Sequence, residues 1–370
     1  MSLSGNRRVT QRDVARRAGV STSIVSYVIN RGPRSVSPET RARVLKAIEE
    51  LGYRPNRHAQ FLTRAKEQSD APVQDFGLVL GRSSAMLARP YYGEVLAGLY
   101  DEADAQHMRV RFIQSLEQLA DPLLFNELIH PDEIAGVILF VEPGRVSPAA
   151  TRLIDKMQKR IGNLICLEQR WGELPAVTFD RMGAARTAVS HLLDLGHRRV
   201  GFLGYPDDRL DGYRFALLDH DVPMDEELVC PTREGNTPAA GHRHVQTLMA
   251  LADPPTALFA CSDEVAVGVM SGLHELGLSV PEDVALVSID DIPLARYLTP
   301  SLTTVHVPKA DLGAHAVRML RARALNPDQT PVSVVLPTSL IVRASCGARP
   351  AREVAAEDGV PPQPEVENIA

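Results

Sequence analysis

The sequence predicts a small all-α helix-turn-helix headpiece followed by a long α/β core in two lobes. Residues 9–62 contain short helical patterns, the first two of which are separated by a turn at Gly19. Residues 1–66 hold 14 Lys and Arg against four acidic residues, whereas the chain of 370 residues has a formal net charge of -6. The formal net charge of residues 1–66 is therefore +10 and that of the remaining chain is -16, so a polyanion would bind the first part and be repelled by the second. Apolar strand patterns alternating with helical patterns beyond residue 76 predict parallel sheets covered by helices.

Three helices are predicted in the headpiece. Thr10 followed three residues later by Asp13 is the pattern of a capping box. Gly19 permits a tight turn, and Ser21 then caps a second helix over residues 22–30. The third helix begins after Ser37 and stops at residue 52. The outward residues near the start of the second helix are those expected to meet base edges: Thr22, Ser23, Ser26 and Tyr27. The alternative is a three-helix domain without a nucleic-acid partner.

The runs DVARRAGVS, VSYVIN and VSPETRARVLKAIEELGYRPN resemble the headpiece of the LacI/GalR (lac repressor/purine repressor) family of bacterial transcriptional regulators. The resemblance implies a headpiece at 1–54 and a hinge helix at 55–64 that orders on operator DNA. Leu62 occupies the position of a leucine that wedges between base pairs in the minor groove, although it could be a lone apolar linker residue. Tyr27 stands where the family usually carries Arg, which alone could bind guanine bidentately. The resemblance adds these DNA-binding candidates: Thr10, Asn30, Arg31, Tyr53, Asn56, Arg57, Ala59 and Leu62.

The remainder resembles the family's periplasmic-binding-protein-like core, with parallel sheets in two lobes. The matching runs include HLLDLGHRRVGFLG, DPPTALFACSDEVAVG and LGLSVPEDVALVSIDDIPLARYLTPSLTTV. After a polar linker at 65–75, the core is expected at 76–347, followed by a disordered tail at 348–370. The expected lobe boundaries are as follows: lobe one at about 76–174 plus 305–335, and lobe two at about 176–303 plus 337–346.

The resemblance places a small effector in the cleft of this core. Arg209 matches an arginine that binds hydroxyls or carboxylates, for which its planar fork is suited, and Asp290 matches an effector-binding carboxylate. Each has a structural alternative, because Arg209 could pair with neighbouring acids and Asp290 could cap a helix. Ser262, Asp180, Tyr91 and Tyr92 are further candidates that could equally serve structure or packing. Asn236 stands where sugar-binding members often place an aromatic, and Trp171 could substitute for it.

No enzyme motif is recognised in the sequence, so no catalytic residue, metal or cofactor is expected. The four cysteines form no C-x-x-C pair, which favours free thiols in a reducing cytoplasm. Neither a signal peptide nor a membrane span is recognised. The sequence therefore predicts a cytoplasmic, nucleoid-associated homodimer that binds operator DNA and responds to a sugar-like effector, most simply as a repressor. The alternative is a solute-binding or sensor protein without a regulatory DNA role.

Overall fold

The computed structural model describes residues 9–30, 36–53, 74–81, 87–141, 146–232, 235–328, 330 and 332–348. The predicted hinge helix at 55–64 and the tail beyond residue 348 lie outside these residues, as do Arg31, Asn56, Arg57, Ala59 and Leu62.

The described chain alternates helices and strands after an all-helical start. Its helices are α1 Gln11–Ala18, α2 Thr22–Asn30, α3 Pro38–Leu51, α4 Pro90–Ala105, α5 Leu116–Leu119, α6 Pro122–Leu128, α7 Pro148–Ile161, α8 Arg181–Asp194, α9 Asp208–Asp219, α10 Pro238–Met249, α11 Asp263–Glu275 and α12 Lys309–Leu325. Its strands are β1 Asp75–Leu80, β2 Arg109–Ser115, β3 Val137–Phe140, β4 Leu164–Leu167, β5 Ala176–Phe179, β6 Val200–Gly204, β7 Val229–Pro231, β8 Ala257–Ala260, β9 Ala285–Asp290, β10 Thr303–His306, β11 Val334–Leu336 and β12 Ser339–Ile341.

The first compact unit comprises residues 1–180 and 307–338. Its sheet has the order β11-β5-β4-β3-β1-β2, and every pair is parallel. Helices α4 and α12 pack at close range, because Gly98 of α4 lies against the backbone of Ala310 and Gly313 of α12 lies against that of Val95. The headpiece helices belong to this unit and have an apolar core of their own around Val14, whose side chain is fully buried.

The second unit comprises residues 181–306 and 339–370. Its sheet has the order β12-β10-β9-β8-β6-β7, in which only the described pair β10–β12 is antiparallel. Strands β6, β8 and β9 are buried throughout, as expected for parallel strands covered by helices on both faces. Their carboxyl ends meet at one edge of the sheet, which is where open α/β sheets bind ligands.

The lobe boundaries differ from the sequence expectation by a few residues. β5 was assigned to lobe two, but it pairs with β4 and β11 and so completes the first sheet. His306 was assigned to lobe one, but it pairs with Asp290 in the second sheet. Both differences fall where the chain passes from one unit to the other. Which sheet a strand belongs to depends on the strand with which it pairs, and an apolar run in the sequence does not identify that partner.

Candidate DNA-binding and effector sites

The helix-turn-helix has well-capped ends. Thr10 N donates to Asp13 Oδ2 at 2.9 Å, and Asp13 N donates back to Thr10 Oγ1 at 3.4 Å, which completes the predicted capping box. Gly19 has φ +65°, a left-handed conformation that favours glycine. Val20 N then donates to Ala15 O at 3.0 Å, so the turn closes the end of α1 before α2 begins. This turn fixes the direction of the second helix.

Helix α2 buries one side and leaves its first residues at the surface. Val25 and Val28 are buried in the headpiece core, whereas Thr22 and Ser23 are exposed and Ser26 and Tyr27 are half-buried. The side that the sequence analysis predicted to face outward is therefore the accessible one, and it presents short hydroxyl side chains.

Tyr53 has a different environment from the one that a DNA contact requires. Its ring is 3% exposed in the headpiece core, and burial raises the pKa of its hydroxyl. The structure therefore assigns Tyr53 a packing role. Thr10 is exposed, but its side chain is engaged in the cap of α1. Asn30 ends α2, and its side chain lies outside what the structure describes.

The end of α3 contacts helices α6 and α7 of the same unit. The buried side chain of Asn126 donates to Ile48 O at 3.2 Å and accepts from Arg160 Nη1 at 2.6 Å. Lys156 Nζ donates to Glu49 Oε1 at 2.7 Å. Cations beside a helix C-terminus are favoured by its dipole, so these contacts attach the far end of α3 to the first unit.

In the second unit, Arg209 is the centre of a buried polar cluster beyond β6. Its Nε and Nη2 donate to the two carboxylate oxygens of Asp207 at 2.9 and 2.6 Å, and Nη1 donates to Cys261 O at 2.9 Å. Burial opposes the positive charge, but Asp207 and, less strongly, Asp290 outweigh it and hold the pKa of Arg209 above its ordinary value. Burial likewise opposes the charge of Asp207, which Arg209 outweighs, so the pKa of Asp207 is lowered.

This geometry combines the two interpretations of Arg209. It pairs with a neighbouring acid, as the structural alternative required, and it does so at the ligand edge of the sheet beside Asp290. A guanidinium has five N–H groups, of which the bonds to Asp207 and Cys261 use three. The fork is therefore held rigidly while part of its donor set can address a hydroxyl or carboxylate.

Asn236 and Ser262 hold loops at the same edge. Asn236 Oδ1 accepts from Tyr205 N at 3.0 Å and from Cys261 Sγ at 3.0 Å, so it ties together the loops that follow β6 and β8. Ser262 is 2% exposed, and its hydroxyl caps α11 by accepting from Val265 N at 3.4 Å. Both candidates therefore have a structural role at this edge, and their effector-binding role stays a prediction.

Asp290 ends β9 in an unusual backbone conformation. It has φ +126°, and the next residue, Asp291, has φ +54°. Asp290 is 5% exposed. Asp291 Oδ1 accepts a hydrogen bond from Arg343 Nη2 at 2.6 Å, and Asp291 Oδ2 lies 3.0 Å from His306 Nδ1. The two acids of the Ile-Asp-Asp-Ile run therefore differ. Asp291 accepts bonds from Arg343 within its unit. Asp290 ends the strand next to β8, and Cys261, which follows β8, accepts from Arg209.

Sequence reasoning missed Asp207 and Asp263. Asp207 is one of the neighbouring acids with which Arg209 was expected to pair as a structural alternative, and it also caps α9. Asp263 follows Ser262 and is fully buried, with Ser288, Thr304 and the backbone of Ile292 as hydrogen-bond donors. In the sequence, Asp263 is recognisable only as an acid at the first position of a helix. That position predicts a favourable interaction with the helix dipole, and it does not predict a buried carboxylate with several hydrogen-bond donors.

The candidates in the first unit lie at the ends of its own elements. Tyr91 is buried and Tyr92 half-buried at the start of α4, with their rings edge to face at a centroid distance of 5.3 Å. Asp180 is exposed and follows β5 directly. Trp171 packs against the apolar core of this unit, so its side chain has a packing role there.

A capped helix-turn-helix with exposed hydroxyls at the start of its second helix, followed by α/β units with a charged ligand edge, defines a class. It is the class of DNA-binding regulators that respond to a small molecule. Comparison with known proteins identifies the family within that class. Residues 10–56 match the family described as "Bacterial regulatory proteins, lacI family", and residues 189–346 match "Periplasmic binding protein-like domain".

Relatives and solved structures cover 73–91% of this chain. The ribose operon repressor of Haemophilus influenzae is 31% identical over 349 residues, which cover 91% of this chain and 98% of the relative. The structure of a transcriptional regulator CelR–cellobiose complex matches with TM-score 0.65 and 30% identity, over 91% of this chain and 100% of that one. A LacI family regulator from Enterococcus faecium with bound ribose matches with TM-score 0.62 and 27% identity, over 73% and 98% of the two chains. The chain belongs to the lacI family of bacterial regulators and is an effector-responsive, DNA-binding transcriptional regulator.

Proposed function

We propose that the chain is a repressor that binds a palindromic operator as a homodimer and is switched by a sugar-like molecule. The observation that carries the proposal is the cluster of Arg209, Asp207 and Asp290 at the ligand edge of a unit that shares its chain with a helix-turn-helix. The N–H groups of Arg209 that do not bond Asp207 or Cys261 would donate to sugar hydroxyls, and the Asp290 carboxylate would accept from them. The relatives named for ribose and cellobiose support this ligand class.

The DNA half of the proposal rests on the accessible start of α2. Thr22 and Ser23 would read base edges in the major groove, and Tyr27 would contact a thymine methyl group or a phosphate. Leu62 would wedge into the minor groove at the centre of the operator. A palindrome requires two headpieces related by a two-fold axis, which is the reason for proposing a homodimer. Because its target is chromosomal DNA, we place the protein in the cytoplasm with the nucleoid.

Selection from fragmented genomic DNA tests the operator. Purified protein is mixed with the fragments at moderate salt, and the retained fragments are sequenced. We expect a shared palindrome of about 14–20 base pairs, with half-sites centred about one helical turn apart. Light scattering should give twice the 40.4 kDa mass of one chain. Retention without a shared site in the presence of candidate effectors would contradict sequence-specific repression and favour binding by charge alone.

The effector half is tested by adding D-ribose or cellobiose to the protein–operator complex. Release at sugar concentrations that leave non-specific binding unchanged is the expected result. Truncating Arg209 would leave the half-buried Asp207 carboxylate without its partner, so the better variant is Arg209→Lys, which keeps the charge and loses the fork. Arg186→Lys is the matched control, because Arg186 also pairs with an aspartate, Asp219, at an exposed position. The proposal fails for Arg209 if both variants respond to the sugar like the parent protein.

An enzyme is the competing class of function. The relatives named above are regulators, and the described residues contain no group of three or more His, Cys, Asp or Glu side chains that could hold a metal ion. Helices long and apolar enough to cross a bilayer are likewise not found among them. Incubating the protein with each sugar and analysing the products decides the point, since turnover would make the effector a substrate.

A further inference from the structure

A single buried carboxylate connects three separate segments of the second unit. Asp263, the first residue of α11, is 0% exposed. Its Oδ1 accepts from Ser288 Oγ on β9 at 2.5 Å and from Thr304 Oγ1 on β10 at 2.6 Å. Its Oδ2 accepts from the backbone N–H of Ile292 at 2.8 Å. A buried acid with these donors is stabilised by hydrogen bonding rather than by solvent.

Capping α11 does not account for this carboxylate. The hydroxyl of Ser262 already caps the helix by accepting from Val265 N. A charge that served only the helix dipole would have the same effect at the surface, without the cost of desolvation. Both oxygens of Asp263 instead accept bonds from β9, β10 and the segment that follows β9.

The segment it holds is strained. Asp290 and Asp291 have φ values of +126° and +54°, conformations that are unfavourable for residues other than glycine. They persist only where the surroundings fix them. The bond from Ile292 N to Asp263 fixes the residue directly after the pair. Arg343 and His306 hold the side chain of Asp291, and Thr304 Oγ1 accepts from its backbone N–H at 3.3 Å.

We propose that Asp263 is a positioning residue for the effector site: it fixes the left-handed Asp290–Asp291 segment so that the Asp290 carboxylate keeps its place at the edge of the sheet where Arg209 also lies. The effector part of this inference rests on the function proposed above. The backbone part does not, because it concerns the segment itself. Asp263 acts through hydrogen-bond geometry and not through its charge on the ligand.

That distinction determines the variants. In Asp263→Ala the acceptors are gone, so Ile292 N–H loses its partner and the segment is released. In Asp263→Asn the amide oxygen can accept from Ile292 N, while the hydroxyls of Ser288 and Thr304 turn to accept from its NH2 group. Asn should therefore restore the geometry without the charge. Asp283→Ala is the matched control, because Asp283 caps Ser279 N at 2.7 Å near the opposite end of β9.

The first measurement needs no ligand. Hydrogen–deuterium exchange of the full-length variants, followed by mass spectrometry of a peptide spanning residues 286–294, reports on the Ile292 amide. We expect exchange there to rise by about tenfold or more in Asp263→Ala, since a lost bond to a charged acceptor is worth roughly 1.5–3 kcal/mol. Peptides from β6 and β8 should keep their protection, and Asp263→Asn and Asp283→Ala should match the parent. Unchanged exchange at 286–294 in Asp263→Ala would overturn the proposal, as would a loss of protection across the whole unit.

The second measurement is calorimetric titration with D-ribose and cellobiose. For whichever sugar the parent binds, Asp263→Ala should weaken affinity about tenfold or more, and Asp263→Asn should stay within about threefold. In an Asp290→Asn background, Asp263→Ala should cause little further loss, because both changes remove the same contact. If Asp263→Ala and Asp263→Asn weakened sugar affinity equally while hydrogen–deuterium exchange at 286–294 stayed unchanged, the charge of Asp263 would act on the ligand directly, which would contradict the positioning role. If the parent binds neither sugar, the proposed ligand class fails, and the exchange result alone decides the positioning role.

Discussion

The close packing of α4 against α12 makes a paired prediction about two glycines of one helix. A Cβ at Gly98 would lie 2.0 Å from the backbone oxygen of Ala310, whereas a Cβ at Gly93 would meet nothing within 4 Å. Both residues are in the helical part of α4, so Gly→Ala gains the same helix propensity of up to about 1 kcal/mol at either position. Only the steric term differs between the two variants.

The magnitudes follow from that difference. Overpacking typically costs about 1–3 kcal/mol, and the upper part of this range applies where the obstacle is backbone that cannot rotate away. Gly98→Ala should therefore lower the free energy of unfolding by about 2 kcal/mol after the propensity gain. Gly93→Ala should raise it by about 0.5–1 kcal/mol.

Trp171 gives a local readout of this effect. It is the only tryptophan in the chain, and it packs on the core of the first unit. Urea unfolding followed by its fluorescence thus reports the unit that contains both glycines, with circular dichroism as a check on the second unit. The reasoning is refuted if Gly98→Ala is as stable as the parent, or if Gly93→Ala is destabilised to the same extent.

Four further outcomes are expected. Thr10→Ala should lower the free energy of unfolding of the headpiece by about 1 kcal/mol, because the N-cap of α1 is lost. A lower thermal unfolding temperature and weaker operator binding would show this, whereas equal stability would mean that Asp13 alone is enough to cap the helix. Tyr213→Phe should cost the second unit about 1 kcal/mol, because the buried bond from Tyr213 Oη to Val200 O at 2.8 Å is lost, and urea unfolding measures it. Burial raises the pKa of Asp263 to about 6, so the folded state disfavours the ionised form: relative to Asp263→Asn, the parent should lose unfolding free energy as pH rises from about 4 to about 6 and lose no more above that. A pH-independent difference would contradict this sign. Leu62→Ala should weaken operator binding and spare non-specific DNA binding, and equal losses on both DNAs would rule out the wedge.

Local features of the sequence were the predictable ones. The capping box at Thr10, the turn at Gly19 and the outward start of α2 depend on neighbours within a few residues, and the structure has each of them. The alternation of strands and helices beyond residue 76 was likewise predicted, and the structure has it. Such features are encoded by hydrophobic period and by residues with special backbone preferences.

What the sequence could not supply depends on partners far along the chain. The acceptor role of Asp263 is defined by Thr304, a residue 41 positions away, and spacing gives no indication of it. β11 joins the first sheet by pairing with β5, a strand more than 150 residues earlier in the chain. Tyr53 matched a DNA-contact run of the family, but its burial is a property of the folded headpiece. Pairing, burial and hydrogen-bond direction of this kind become visible only in three dimensions.

In both sheets the strand at one edge comes from the last part of the described chain, and this affects the order of folding during synthesis. The edge strands β11 and β12 lie within residues 334–341, so the first sheet is complete only after Leu336 has been synthesised and the second only after Ile341. At a synthesis rate of roughly 5–20 residues per second, β5 lacks its neighbouring strand β11 for about ten seconds or more. The headpiece needs no such delay, because its core is assembled from residues 14–53. A nascent chain can thus acquire its DNA-reading surface well before its effector unit is whole, and a truncation near residue 330 would strip an edge strand from both sheets at once.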